Sequence, residues 1–566
     1  MFFSSRLLAL SWAFICFFLS ILFLGLLGFH LLGLPSLALS FSPLALKGVS
    51  FRLVLQRRVA SSLFSAVVCL IAAVVFVFMA HYFLRGQHLV YFCWVTFLFV
   101  FSILILINFS DVFFTLLGWD GLGVVSYFLI AYYQSPVSRF SSRFTLLINR
   151  LGDCFFILLV LVWWRSVPVR SFSFSAFSSF RGFTLLLVLT FSTKSAIFPF
   201  SPWLPAAIAA PTPISSLVHS STLVTAGLFL MVRNYPLLSR SSSCLSLLCF
   251  LGVFTSLYAG LSALVEPDLK KVVALSTLSH LGFILLALGL GQLQLAFFHL
   301  IAHAFFKSSL FIRLGSIIVA SHHYQDSRVF SGWGSSHPFF GIVLLTSVGH
   351  LVGLPFLSGF YSKDLILEAL FRVDLGVFLL SLIYANVLLT FSYSFRIVQM
   401  FVKSKLVTFS VVRQPLLIFT LSLFSLRVLS IFVGFFISQF TVSVALFLPS
   451  SFKFFPFVGL ILRVIWYLAV RSTLTYPNSI LYPLSSMLFL SPLWSNKVSS
   501  AGVSLHEGAL RSVECGAFRG SLFSYPLYLA TQLSLWLNLV ISSSVRDLAF
   551  LLVGFLVALP LVIAAI

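Results

Sequence analysis

The chain has 566 residues, of which 60% are hydrophobic and only 8% charged, with a mean hydropathy of +1.13. Soluble domains carry roughly a quarter charged residues, so this composition excludes a water-soluble enzyme or nucleic-acid module. Its 34 Lys and Arg against 12 acids, a net +22, have to be explained inside a membrane protein.

Apolar runs of about 20 residues recur along the whole length, which predicts a polytopic α-helical bundle. A β-barrel would show short alternating segments instead. Most basic residues lie in short connections, such as Lys47, Arg52, Arg57 and Arg58, or Arg139 and Arg143. There they meet lipid headgroups and fix topology; no nucleic-acid partner is expected. The seven cysteines are scattered, with no CxxC and no Cys/His cluster, which argues against iron–sulfur, zinc or haem on this chain. Phenylalanine reaches 69 residues, a bias expected of a T-rich genome such as that of some mitochondria.

In chain order, helices are predicted at 7–33, 59–83, 89–108, 111–132, 144–164, 183–199, 204–233, 244–265, 271–291, 294–320, 338–356, 360–372, 375–402, 415–448, 454–470 and 546–566. The first run is too long for a cleavable signal peptide. The total is about 14–16 spans of an all-α fold. The mixed stretch 471–545 suits a helix lying along the membrane surface.

The acids are informative because they are few. Asp120 lies in LLGWDGLGVVSYFLIAYY, where Gly118, Gly121 and Gly123 allow a second helix to approach closely. Asn149, Arg150 and Asp153 form NRLGD, and Arg150 and Asp153 at i, i+3 read as a local anchor. The stretch STKSAIFPF–SPWLPAAIAAPTPISSLVHSSTLVTAGLFL sets Lys194 beside five prolines, then His219 among hydroxyls. A proline breaks the helix ladder. Backbone freed in this way must be buried in protein or line a wet cavity. Asp120 and Lys194 are expected to form a coupled pair.

In EPDLKKVVALSTLSHLGF, Glu266 and Asp268 fit the positive end of a helix that begins at Lys270 and Lys271. Ser276, Ser279 and His280 give this helix a polar side. FFHLIAHAFFKSSLF then sets His299, His303 and Lys307 at i, i+4 and i+8 on one face. Three titratable groups in line within an apolar helix point to a proton relay. A metal pair would lack a third ligand. GHLVGLPFLSGFYSKDLILEALF is a second interrupted segment, with Gly353, Pro355 and Gly359 before Lys363, Asp364 and Glu368. Two such segments point to repeated halves around a midplane site.

GWDGLGVVSYFLI, NRLGD, the Lys194–His219 stretch, DLKKVVALSTLSHLG, HAFFKSSLF and GLPFLSGFYSKD occur in this order. Together they closely resemble the chain 5 family of NADH-ubiquinone oxidoreductase. This is the large, distal, antiporter-like membrane subunit of respiratory complex I, and the similarity covers about 108–370. The resemblance implies two inverted five-helix repeats with broken helices and a central polar axis. It also implies a lateral amphipathic helix near the C-terminus and a last transmembrane anchor.

The expected organisation is 1–107 N-terminal helices, 108–405 antiporter-like core, 406–470 additional helices, 471–545 lateral helix and 546–566 anchor. By matching motifs, the implied relay is Asp120, Lys194, His219, Lys270 or Lys271, His303, Lys307, Lys363 and Asp364. The resemblance further implies proton translocation across the mitochondrial inner membrane. That translocation would be driven by electron transfer from NADH to quinone on other subunits. FMN, iron–sulfur clusters and quinone would belong to those subunits, with no cofactor or metal here. The implied partners are the other membrane-arm subunits, especially neighbouring antiporter-like ones, and lipids.

Asp120 replaces the family's glutamate in GWEG and is one methylene shorter. His280 stands where related chains often have Gln. One fewer helix is counted before GWDG, and the C-terminal 200 residues match only in general plan. A free-standing cation/proton antiporter shares the same core motifs. An intramembrane serine protease would need a GxSG nucleophile segment, and the sequence has none.

Overall fold

The structure is a computed structural model and describes residues 2–31, 38–46, 49–56, 59–83, 89–166, 181–321, 324–326, 338–370, 377–402 and 417–441. All of these lie in one compact unit, Met1–Pro477; a second unit, Asn478–Ile566, falls outside the described residues. The expected spans at 454–470 and 546–566 and the lateral helix at 471–545 also fall outside them.

The all-helical expectation holds for the bundle. Among the described residues, ten helices are long and apolar enough to cross a membrane, and three shorter apolar helices accompany them. In chain order the first are α1 (Phe2–Leu31), α2 (Val59–Tyr82), α3 (Leu89–Asn108), α4 (Val112–Ile130), α5 (Pro136–Ser166) and α6 (Arg181–Lys194). Then come α7 (Trp203–Ala207), α8 (Thr212–Leu217), a π-helical turn Val218–Thr222, α9 (Leu223–Arg233) and α10 (Tyr235–Leu238). The remainder are α11 (Ser242–Val265), α12 (Leu269–Gly289), α13 (Leu293–Ala320), α14 (Pro338–Val352), α15 (Ser358–Leu370), α16 (Val377–Val402) and α17 (Leu417–Thr441). A two-stranded antiparallel ribbon, β1 (Ala38–Leu46) and β2 (Val49–Gln56), joins α1 to α2 where the sequence reading placed only a connection.

α13 is the hub. It packs on α2, α8, α9, α12, α14, α15, α17 and the π-helical turn. It is therefore enclosed on all sides, as is α12. By contrast α1, α4 and α5 expose large apolar side chains, among them Phe14, Phe18, Phe128, Leu147 and Leu161. A helix apolar all round belongs inside such a bundle or against lipid. The polar faces of α12 and α13 therefore meet each other rather than lipid. Most buried hydroxyls are satisfied within their own helix. Ser65, Thr190, Ser276, Ser308 and Thr390 each donate to the carbonyl three residues earlier.

Both interrupted segments are broken, but not where the apolar runs end. The helix predicted to run to 199 stops at Lys194, and the chain turns through Ser195–Pro202 before α7. Pro199 and Pro202 have no amide hydrogen to extend the ladder. The single helix predicted at 204–233 is divided into α7, α8, the π-helical turn and α9, with Pro211 before α8. In the second segment α14 ends at Val352, and Gly353 turns the chain with φ +85°. A side chain strains that region of φ, and glycine does not.

Close helix approach follows the small residues. A Cβ on Gly118 would lie 2.8 Å from the Leu106 backbone nitrogen, so α3 rides directly on α4, as the glycines around Asp120 foretold. α11 and α12 touch backbone to backbone, where a Cβ on Gly282 would lie 2.6 Å from the Gly252 oxygen. Gly282→Val is expected to force these helices apart at a cost of about 1–3 kcal/mol. It should lower the thermal unfolding midpoint in detergent. Gly28→Ala, where a Cβ meets nothing within 4 Å, should leave that midpoint unchanged.

Candidate functional site

Lys194 is the last residue of α6 and is fully buried. Its ammonium donates to the Trp119 carbonyl oxygen and lies 3.9 Å from the Trp119 ring centroid. One residue of α4 thus supplies both a carbonyl dipole and a cation–π face. Among the described residues Lys194 makes no ion pair with Asp120. The carboxylates in electrostatic reach are Asp153 first and Asp120 second, and the two face each other. Asp153 also takes a 3.1 Å bond from Arg150. The local anchor read from NRLGD is therefore also a counter-charge in reach of Lys194.

His219 lies on the π-helical turn, fully buried, with its ring 6.4 Å from that of Trp203. Lys270 points inward from the first turn of α12 and donates to the Ala210 carbonyl at 2.9 Å, in the gap between α7 and α8. The break in the helix thus supplies the acceptor for a buried cation. Lys271 points outward, half-exposed and paired with Asp268 at 2.7 Å. Of the two lysines left open by the sequence, only Lys270 joins the buried line. Beside them Glu266, just past α11, has its carboxyl pushed above the ordinary range by burial, with Lys271 pulling it back.

The face of α13 carries the centre of the site. Lys307 donates to Ser276 of α12 at 2.7 Å. Ser276 gives its own proton to the Val273 carbonyl, so it offers Lys307 only lone pairs. His280 Nδ1 lies 3.3 Å from His299 Nε2, and His299 Nδ1 lies 2.8 Å from Ser362 of α15. The His280 and His303 rings are 5.9 Å apart. Both nitrogens of His219, both of His303 and His280 Nε2 have no hydrogen-bond partner within the described residues. The backbone of Ala207 faces His219 and that of Ser220 faces His303, neither in hydrogen-bonding geometry.

At the second break Lys363 sits on α15 and donates to Thr390 of α16 at 2.7 Å. Thr390 in turn donates to the Val387 carbonyl, repeating the Lys307–Ser276 arrangement. The Lys363 ammonium also lies 5.2 Å and 5.4 Å from the Phe391 and Phe283 ring centroids. Asp364, half-buried, is the carboxylate in its electrostatic reach.

The structure therefore buries Lys194, His219, Lys270, His303, Lys307 and Lys363, with Asp120 in electrostatic reach of Lys194 and Asp364 of Lys363, and leaves Lys271 half-exposed. His280 and His299, absent from the path implied by the motifs, are buried and hydrogen-bonded to each other. His350 was missed altogether. It stands three residues before Gly353 with no charged neighbour in sequence, and only its burial and its two serine partners mark it.

This architecture of broken helices around buried cations and imidazoles is that of a membrane-embedded, antiporter-like helical bundle. The family described as NADH:quinone oxidoreductase/Mrp antiporter, TM, matches residues 110–390. The NADH-ubiquinone oxidoreductase chain 5 of Anopheles quadrimaculatus is 37% identical over 454 residues, covering 78% of each chain. That of Caenorhabditis elegans is 44% identical over 339 residues, 60% of this chain and 63% of the relative. The chain belongs to the NADH-ubiquinone oxidoreductase chain 5 family. It spans about three fifths of the length of curated relatives such as those of Caenorhabditis elegans and Lumbricus terrestris. A chain in the structure of the Mrp complex from Dietzia sp. DQ12-45-1b shares the fold, with a TM-score of 0.70 at 24% identity. The match covers 97% of this chain and 63% of that one.

Ser276→Ala is expected to leave the Lys307 ammonium buried without its acceptor. Removing one partner of a charged, buried hydrogen bond costs about 1–3 kcal/mol or more. The thermal midpoint in detergent should fall by more than in Ser65→Ala, whose hydroxyl serves no cation.

Proposed function

We propose that this chain is a proton-translocating membrane-arm subunit of respiratory complex I in the mitochondrial inner membrane. Its buried lysines and histidines relay protons while NADH oxidation and quinone reduction proceed on other subunits. The observation that carries this reading is the set of buried ionisable side chains at the two breaks and on α12 and α13: Lys194, His219, Lys270, His280, His299, His303, Lys307 and Lys363. Ionisable groups inside a bilayer are costly, about 2.5–3.5 kcal/mol each on insertion scales, and mark ion pathways. Several of the imidazole nitrogens have no hydrogen-bond partner among the described residues. A buried polar atom requires one, so these are the positions where water enters the line.

On this reading Lys194, held by Trp119 and answered by Asp153 and Asp120, is the first station. His219 and Lys270 lie at the first break, Lys307 with His303 and His280 at the centre, and Lys363 with Asp364 at the second break. Each lysine rests on a carbonyl, a ring or a hydroxyl whose own proton is already committed. Such ligands hold an ammonium without fixing it as a carboxylate would. The charge on one lysine can therefore respond to the charge on the next. The partners are other membrane-arm subunits, and this chain itself carries no redox group.

The free antiporter reading shares this core, and the structural likeness to a chain of an Mrp complex favours keeping it in the test. Gently solubilised source membranes are separated on a native gel, stained for NADH dehydrogenase activity and analysed by mass spectrometry. Occurrence of this chain only in the large active band is expected. A smaller band without that activity, together with sodium- or potassium-dependent proton flux, would establish the antiporter instead.

Lys194→Ala and Lys363→Ala are each expected to lower protons moved per electron while leaving the complex assembled. Normal stoichiometry in both would sink the relay. Asp153→Asn is expected to reduce turnover, because Asp153 is a carboxylate in electrostatic reach of Lys194 and is held there by Arg150. Unchanged coupled NADH oxidation in that variant would contradict its role as a counter-charge.

A further inference from the structure

Tyr393 lies on α16 and is fully buried. Its hydroxyl is 2.9 Å from that of Ser279 on α12. Ser279 donates its own proton to the Ser276 carbonyl at 2.9 Å, so it accepts here and Tyr393 donates. The bond falls between the acceptors of two buried lysines. Ser276, which holds Lys307, is one turn back along α12, and Thr390, which holds Lys363, is one turn back along α16.

The Lys363 ammonium is itself held from both of these helices. From α16 it meets the Thr390 hydroxyl at 2.7 Å and the Phe391 ring centroid at 5.2 Å; from α12 it meets the Phe283 ring centroid at 5.4 Å. Phe283, Val387 and Phe391 form one buried cluster. Cation–π attraction acts within about 6 Å of a ring centroid, so parting α12 from α16 by about 1 Å takes the ammonium out of range of one ring. The separation of the two helices therefore sets the surroundings of Lys363. Asn386, Thr390 and Tyr393 share one face of α16 at i, i+4 and i+7. Asn386 donates to the Val253 carbonyl at 3.2 Å, and Arg396, one turn beyond Tyr393, donates to the Ala263 carbonyl at 3.0 Å. Those two bonds tie α16 to α11. The Tyr393 bond ties it to α12, the helix that carries both Phe283 and Ser276.

We propose, resting on the relay reading above, that Tyr393 is a positioning residue for the relay. Its bond to Ser279 holds α16 against α12 and so fixes the slot in which Lys363 gains and loses its proton. Tyr393 keeps its own proton throughout and acts through Thr390, Phe391 and Phe283. The same bond sets that slot relative to the acceptor of Lys307, because Ser279 is hydrogen-bonded to Ser276 within α12. The ring alone would fill the space between the helices; the hydroxyl sets their register. The demand on register is high, since a misplacement of about 1 Å can cost up to about a hundredfold in rate.

Tyr393→Phe keeps the ring and leaves Ser279 bonded to the Ser276 carbonyl, so no donor is orphaned. It is compared with Ser279→Ala, which breaks the same bond from α12, and with Thr390→Val, which removes the acceptor of Lys363. Each variant is studied in its whole complex in sealed membranes, and coupled NADH oxidation is measured in ordinary and in deuterated water. Loss of one neutral hydrogen bond gives an expected fall in rate of about two- to tenfold for Tyr393→Phe. Assembly should be normal and the solvent isotope effect raised, because only the proton step is slowed. Ser279→Ala should change both readings in the same direction, and Thr390→Val should change them by more. A slower rate with an unchanged isotope effect in Tyr393→Phe and Ser279→Ala would show a packing role and overturn the proposal. Wild-type readings in both, beside an impaired Thr390→Val, would overturn it too and leave the relay standing. Wild-type readings in Thr390→Val, with normal protons per electron in Lys363→Ala, would overturn the relay reading itself.

Discussion

The structure depends on how an apolar bundle with few acids holds buried cations. Lys194, Lys270, Lys307, Arg313 and Lys363 are all almost wholly enclosed, yet the nearest carboxylates stand off from the lysines rather than pairing with them. The protein uses neutral oxygen and aromatic faces instead. Lys194 rests on a carbonyl and an indole, Lys270 on a carbonyl, and Lys307 and Lys363 on hydroxyls. A close buried ion pair would be held by Coulomb energy that is large at low dielectric, and breaking it would be costly. Dipolar ligands give a weaker grip. That suits groups whose charge must change, and it accounts for Asp120 and Asp153 lying in reach of Lys194 without bonding to it.

The hydroxyls that serve these cations have a second function, set by the helix itself. A serine or threonine in an α-helix readily donates to the carbonyl three or four residues back. In water this is a small local preference. In an enclosed bundle it fixes the hydroxyl as a pure acceptor toward anything else, and hence as a ligand for ammonium or for imidazole N–H. Ser276, Thr390, Ser362 and Ser430 all show this arrangement. The abundance of serine in this chain is therefore not polar filler. It orients the hydrogen bonds of the histidines without spending charged residues.

Much of this was legible in the sequence. The helices, the two interruptions and the cation at each were read from apolar periodicity, prolines and isolated charges, because those signals are local. The i, i+4, i+8 spacing placed His299, His303 and Lys307 on one face, and α13 presents that face to α12 and α15. What was not legible depends on contacts between helices. Whether Lys270 or Lys271 turned inward is fixed by the carbonyl left free at Ala210, on a segment sixty residues earlier. Asp153 read as a partner of Arg150 because the two are neighbours in the chain. Only the packing of α5 on α6 sets it in reach of Lys194. Sequence also placed the helix end at Pro199, whereas α6 stops five residues sooner. His350 gave no signal because its partners, Ser358 and Ser430, are common residues on two other helices.

The positions of the breaks then acquire a physical reason. A continuous helix leaves no carbonyl free in its interior and sets no residue at a helix N-terminus near the midplane. The first break releases the Ala210 carbonyl for Lys270 and puts Lys194 at a helix end. The second releases the Ser358 hydroxyl from helical back-bonding, because that residue begins α15, and so lets it face His350. Backbone irregularity within a bilayer is tolerated where protein or water satisfies it. Here each irregular turn donates the one group that its neighbouring titratable side chain needs. The interruptions and the buried ionisable groups are therefore one feature: the cost of opening the backbone is offset by the same contacts that hold the cations and imidazoles in place.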